Sequence, residues 1–376
     1  MIFLDNASTT MVYPEVVEKI NNYYLTDYYN PSATYKPSLK IKKDLENARE
    51  SLSKYLKIDK SELYFTSCAT ESNNWVLNSA LKNKSCNLVI SAGEHACIYE
   101  TAKNLQNKGF DVRIAALNND GTVNENDLIS KIDDKTALVS IIHVSNETGV
   151  VNDLKALFTK IKKKYPKVLC HSDGVQAFCK IPTDLKAMNV DFYSISGHKF
   201  GAPKGVGALY ISKKANLTPF VFGGGQENGR RSGTENVAGI IAMADAAKIY
   251  REHSDTDKID KIHALLIEKL KEISNVQIIG DGAVNSNRIL AVSFIGCKAE
   301  ILQSMLADEG VLVGRGSACS SRHAGNRVLA AMGINQSVID GTLRISIAPE
   351  TSAENIETAI EKIKIVVAKL RGNKIG

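Results

Sequence analysis

Thr136-Ala137-Leu138-Val139-Ser140-Ile141-Ile142-His143-Val144 is an almost unbroken apolar run, and its reading decides the fold class. It is far shorter than the ~20 residues that a membrane span needs. It also lacks the strict alternation of a strand with one wet face. It therefore predicts a strand over 136–143 in the middle of a sheet, covered on both sides. Outward from it, β-rich runs at 62–66, 87–91, 111–115, 168–171, 191–196 and 206–211 alternate with amphipathic stretches such as 69–82, 98–108 and 153–164. Such alternation predicts an α/β fold on a mostly parallel, doubly wound sheet. After Gly223-Gly224-Gly225 the texture changes. Two helical segments (236–252 and 257–273) lead into an α+β pattern with strands near 289–294, 312–313 and 343–347. A last helix follows Thr351, whose spacing to Glu354 fits a capping box. A domain boundary is expected near residue 255.

The 376 residues are 44% hydrophobic and 23% charged, which excludes a wholly disordered or low-complexity chain. The 47 basic and 41 acidic residues leave a net charge of +6. The basic residues sit in short runs such as Lys162-Lys163-Lys164 without aromatic interleaving, a pattern of solvated helix faces and not of a nucleic-acid groove. Seven cysteines, an odd number with no C-x-x-C pair, fit reduced thiols in a large intracellular enzyme better than a disulfide framework. Met1-Ile2-Phe3-Leu4-Asp5 lacks the charged and apolar regions of a secretory leader. The expectation is a cytoplasmic protein without membrane or direct nucleic-acid partners.

Four stretches carry candidate chemistry. In Ser194-Ile195-Ser196-Gly197-His198-Lys199 a lysine follows an apolar strand, the setting of a partly desolvated amine able to form a Schiff base. A solvated strand-end lysine would look the same locally. Upstream, Asp173 closes an adjacent strand with no basic neighbour in sequence. A carboxylate at a sheet's carboxyl edge suits a pyridinium nitrogen, as in pyridoxal phosphate (PLP) enzymes; the plainer role is a turn or N-cap residue. Thr66-Ser67-Cys68-Ala69-Thr70-Glu71-Ser72 ends a strand and opens a helix with hydroxyls, as a phosphate site or a simple N-cap would. Finally, Gly314-Arg315-Gly316-Ser317-Ala318-Cys319-Ser320-Ser321 sets Cys319 among small residues, where a thiolate can reach a substrate. The other six cysteines lie mostly in apolar contexts and read as core fillers.

Nearly end to end, the sequence resembles the cysteine desulfurases of the NifS/IscS type, PLP-dependent enzymes of fold type I in the class V aminotransferase group. The likeness rests on Phe3-Leu4-Asp5-Asn6-Ala7-Ser8-Thr9-Thr10, Asn30-Pro31-Ser32, Ala69-Thr70-Glu71-Ser72-Asn73-Asn74, Glu94-His95 and Asn146-Glu147-Thr148-Gly149. It continues through Asp173-Gly174-Val175-Gln176, Ser196-Gly197-His198-Lys199, Arg231-Ser232-Gly233-Thr234-Glu235-Asn236, Gly316-Ser317-Ala318-Cys319-Ser320-Ser321 and Leu343-Arg344-Ile345-Ser346. The resemblance implies that Lys199 holds PLP as a Schiff base and moves the substrate's Cα proton. Asp173 would pair with the pyridine nitrogen, His95 stack on the ring, and Asn146 and Gln176 lie near its hydroxyl edge. Ala69, Thr70, Ser196 and His198 would bind at the phosphate end, and Thr234 would reach the partner subunit's phosphate in a homodimer. Arg344 would clamp the substrate carboxylate, with Asn146 and Asn30 near the substrate. Cys319 would take sulfur from L-cysteine as a persulfide, releasing L-alanine, and pass it to an acceptor such as an iron–sulfur scaffold or a tRNA-thiolation protein. No metal is implied. The resemblance also implies a large PLP-binding domain over 14–255 and a small domain of 1–13 and 256–376 that carries the Cys319 loop.

Departures from the family pattern are Cys68 where glycine is usual, Tyr35 at a position often held by histidine, Ala348 in place of glycine, and His323-Ala324-Gly325-Asn326 after Cys319. Arg315, four residues before Cys319, either lowers that thiol's pKa or points into water. A selenocysteine lyase, or another class V PLP enzyme, is the alternative reading. A PLP-fold binding module would have no use for Lys199, Asp173, Cys319 and Arg344 together.

Overall fold

The computed structural model describes residues 1–315 and 327–372; Cys319 and the rest of 316–326 lie outside the described residues. Along the chain run β1 (Ile2–Leu4), β2 (Leu63–Thr66), β3 (Asn87–Ser91), β4 (Asp111–Ala115), β5 (Thr136–Ser140) and β6 (Leu169–Asp173). They are followed by β7 (Phe192–Ser196), β8 (Gly207–Ile211), β9 (Val276–Ile279), β10 (Ile289–Phe294), β11 (Val311–Val313) and β12 (Thr342–Ser346). One sheet has the order β2-β8-β7-β6-β5-β3-β4. Strands β3 to β7 run parallel, while β8 lies antiparallel between β7 and β2. The mostly parallel α/β architecture expected from the sequence is present.

Both faces of this sheet are covered, as the apolar run at 136–144 requires. Side chains alternate by the strand period of two. Leu88, Ile90, Leu138, Phe192 and Leu209 pack on one face with Trp75 and Ile98. Val89, Val139, Tyr193, Ile195 and Ala208 pack on the other with Leu52, Phe158 and Phe200. Each large side chain buried this way contributes about 1.5–3 kcal/mol. Strand β5 ends at Ser140, short of the expected 143, but the Ile141 and His143 N–H groups still donate to the His171 and Asp173 carbonyls. The run therefore follows β6 as far as Asp173.

A second core joins Leu4 to Ile262, Leu266, Leu290, Val292, Leu343, Ile345, Ile360 and Ile363. It surrounds the antiparallel sheet β12-β10-β9 and the parallel pair β1-β11. The last helix spans Ala353–Leu370, and here the sequence reading needs correction. Its N-cap is Ser352, boxed with Asn355, not Thr351 with Glu354. The Thr351 hydroxyl instead accepts the Ala348 N–H at 3.0 Å, closing the turn before the helix. No helix among the described residues is long and apolar enough to cross a membrane.

Candidate active site

The carboxyl ends of β5, β6 and β7 and the start of the helix Ala69–Ala80 border a cavity of about 260 Å³. This is the edge at which open α/β sheets take ligands. Ala69, Thr70, His95, Asn146, Asp173, Gln176, Ser196, His198, Lys199 and Arg344, all singled out from the sequence, line it. Asn30 does not; it is exposed, and its Oδ1 accepts the Ser32 N–H at 2.9 Å. Thr234, also exposed, borders a separate cavity beside Arg231 and Thr66.

Asp173 ends β6 and is buried. Its Oδ2 accepts from Asn73 Nδ2 at 2.8 Å and its Oδ1 from the Val175 N–H at 3.0 Å. Lys199 closes the short 3-10 turn after β7, and its Nζ donates to the Ala7 and Ser8 carbonyls at 2.8 and 2.6 Å. The N-terminal segment thus forms one wall of the site. Arg344, on β12, donates Nη1 to the Asn146 carbonyl at 2.8 Å and Nη2 to Asp5 at 2.9 Å. Its Nε is buried with no hydrogen-bond partner among the described residues.

His95 is the N-cap of the helix Ala96–Asn107; its Nδ1 accepts the Cys97 N–H, which leaves the proton of a neutral ring on Nε2. Burial lowers its pKa against the opposing pull of Asp173, so the ring is neutral near pH 7. Glu94, before it, accepts from the Ser91 hydroxyl and the Ile142 N–H at 2.6 and 2.7 Å. Burial pushes the Glu94 carboxyl up to about 7. His198, beside Lys199, is held down to about 4, first by burial and then by Lys199 and Lys204.

The start of the Ala69 helix is braced from outside. Glu71 accepts from the Ser67 N–H and pairs with Arg231, Nε to Oε1 at 2.8 Å. Cys68, the departure from glycine, is extended (φ −174°, ψ 170°), a conformation any residue adopts. The close approach is made by Gly207 across from it: a Cβ there would lie 2.9 Å from the Cys68 Cα. Cys68 and Cys97 both line the cavity, whereas Cys170, Cys179 and Cys297 are core residues as expected. Burial pushes the Cys97 thiol up to about 12, the direction of an unreactive group. Arg315 pairs with Glu300 at 2.5 Å, so its charge has a partner of its own.

The family described as "Aminotransferase class-V" matches residues 2–358. A "Cysteine desulfurase" of Trichormus azollae is 34% identical over 99% of this chain and 94% of its own length. The chain belongs to the class-V aminotransferases, in their cysteine desulfurase branch. A solved structure named "NIFS-LIKE PROTEIN" superposes with a TM-score of 0.91 at 33% identity, covering 98% of this chain and 99% of the other. Another, "SspA in complex with cysteine", gives 0.82 at 29% identity over 94% of this chain and all of its own (100%). The family is PLP-dependent, with the fold type I architecture described above.

The cavity fits that cofactor. A buried carboxylate is costly unless its charge is answered. Asp173 receives hydrogen bonds from the neutral donors Asn73 and Val175, which leaves room for a cationic ring nitrogen. The unpartnered Nε of Arg344 suits a carboxylate in the same cavity. Ligand atoms of His95, Cys97 and Asp173 also lie within 4.8 Å of one another, a grouping a metal could use. Each is engaged otherwise: His95 Nδ1 by the Cys97 N–H, Cys97 Sγ by Asn73 Nδ2 at 3.2 Å, and Asp173 by Asn73.

The sequence alone assigns Asn73 no role. Its spacing of three from Thr70 carried a signal, because both then face the same side of one helix. Asp5 had a weaker one, a lone acid at the end of β1. Its pairing with Arg344 spans almost the whole chain.

Proposed function

We propose that this chain converts L-cysteine to L-alanine and carries the sulfur away as a persulfide on Cys319. The observation behind this reading is the placement of Asp173, Lys199 and Arg344 around one cavity. Relatives named cysteine desulfurase, and a neighbour solved with cysteine, support the substrate. PLP, when bound, draws electrons from the substrate's Cα. Asp173 would answer the charge of the ring nitrogen, and the neutral His95 would help to hold the ring. Thr70, Ser196, His198 and the Ala69 helix start would hold the phosphate. Arg344 takes the substrate carboxylate in bidentate fashion, which a lysine could not match. Lys199 accepts the Cα proton and later returns one. The Cys319 thiolate attacks the substrate sulfur; the S–S bond forms as the Cβ–S bond breaks, and its electron pair takes up a proton to complete the methyl group of alanine.

The active form is a homodimer in which Thr234 serves the partner's phosphate site; its exposure away from its own cavity supports this. Asn30 acts near the substrate in that same assembly. The large domain covers 14–255 and the small one 1–13 with 256–376, in line with Leu4 joining the second core. The protein works in the cytoplasm and hands its sulfur to an iron–sulfur scaffold or a tRNA-thiolation protein. Product analysis with L-cysteine tests the reading. Alanine should form with the wild-type protein, while Lys199→Ala should lose both alanine and the visible cofactor band. Sulfide without alanine, or neither product, contradicts it.

A further inference from the structure

Lys180 has no part in the scheme above, yet it abuts it. Its Nζ donates to Gln176 Oε1 at 2.6 Å. Gln176 Nε2 in turn donates to the Ala7 carbonyl at 2.9 Å, the carbonyl that also accepts from Lys199 Nζ at 2.8 Å. An amide held at both ends cannot flip without losing both bonds. Its Oε1 must face Lys180, and its Nε2 must face Ala7, while the side chain lines the cofactor cavity. The backbone just before Lys180 has an unusual conformation. Cys179, just before Lys180, has φ +65°, a left-handed conformation uncommon for a residue with a side chain. The Lys180 N–H closes the turn by donating to Ala177 at 2.9 Å.

The location is unfavourable for an amine. Lys180 borders a small second cavity together with Lys199, Arg288 and Ser346. The residue as a whole is only partly buried, but burial of its amine end, with Lys199, Arg288 and Arg344 near it and Cys179 opposing them, pushes its pKa well below the usual lysine range. A side chain kept only for packing would be better served by an aliphatic one of similar length.

We propose that Lys180 is a positioning residue of the active site, which locks the Gln176 amide in the orientation the bound cofactor needs. The proposal rests on the PLP assignment above. It acts through Gln176, so the two residues should behave as one unit. In the holoenzyme, Lys180→Met should lower kcat/KM by about tenfold, the scale of one lost hydrogen bond. It should also shift the visible cofactor band in the same sense as Gln176→Leu. The Tm of Lys180→Met should hold or rise, which separates positioning from structural damage. The double variant should be no worse than Gln176→Leu alone. Wild-type kinetics and band in Lys180→Met, or losses that multiply in the double variant, would overturn the proposal. If Lys180→Met does not fold, Lys180→Arg, which keeps a donor, should retain the wild-type band; a shift there overturns it as well. A wild-type protein with neither a cofactor band nor alanine formation would instead refute the functional reading itself.

Discussion

Asp173 shows how much a single contact decides. Its buried carboxylate is held ready by Asn73, which reaches it from the Ala69 helix at 2.8 Å. A hydrogen bond to a charged group contributes roughly 1.5–3 kcal/mol. Asn73→Ala should therefore weaken PLP affinity by about tenfold or more, read by titrating the visible band of the apo chain. Unchanged affinity would remove Asn73 from the site. Asp173 and Lys199 were legible in the sequence because Asp173 ends a strand and Lys199 closes the turn after one, each beside small or hydroxyl residues. Asn73 and Lys180 were not, because their meaning lies in what they touch. Asn73 meets Asp173 a hundred positions away, and Lys180 matters only through the orientation of Gln176.

Elements were easiest to read where apolar periodicity dominates. The strands at 87–91 and 289–294 lie where the sequence places them, since continuous apolar cores leave little freedom of register. Helix ends were harder, because capping depends on which of two neighbouring hydroxyls turns inward. Thr351 and Ser352 both qualify by sequence, and the turn at Ala348 takes Thr351. Ser352→Ala should accordingly cost about 1 kcal/mol in a denaturation experiment with little change in kcat. An equal or larger loss of stability in Glu354→Ala would restore the first reading. The edge strand β9 left almost no sequence signal: it is short, half-exposed and set between Asn275 and Gly280.

At the scale of the whole molecule, two buried cores meet around one charged cavity, and buried titratable groups set the response to acid. Burial holds His143 at about 4 and His171 at about 3, against an ordinary 6.5. Below pH 6.5 the unfolded chain binds protons at both residues that the native chain refuses, so stability falls as pH drops toward 4. Glu94 acts in the opposite sense: its native value of about 7 makes its contribution present at low pH and lost as pH rises through 7. His198, also held at about 4, and the lowered His95 and His263 act in the same sense as these two, so the histidines outweigh the one carboxyl. The unfolding free energy should decline by at least roughly 1.4 kcal/mol per pH unit between pH 6 and 5, measured by urea titration; a flat or rising curve would contradict this balance. The α/β class follows from patterns the sequence displays, and the joining of Leu4 to the C-terminal core from the family resemblance. The wall formed by Ala7 and Ser8 against Lys199 does not, since it arises only when both cores are assembled. The most direct test of the whole account is the mass of the Cys319 peptide after a single turnover with L-cysteine. One added sulfur atom on Cys319, matched mole for mole by alanine, is the predicted result; alanine formed with Cys319 unmodified would contradict it.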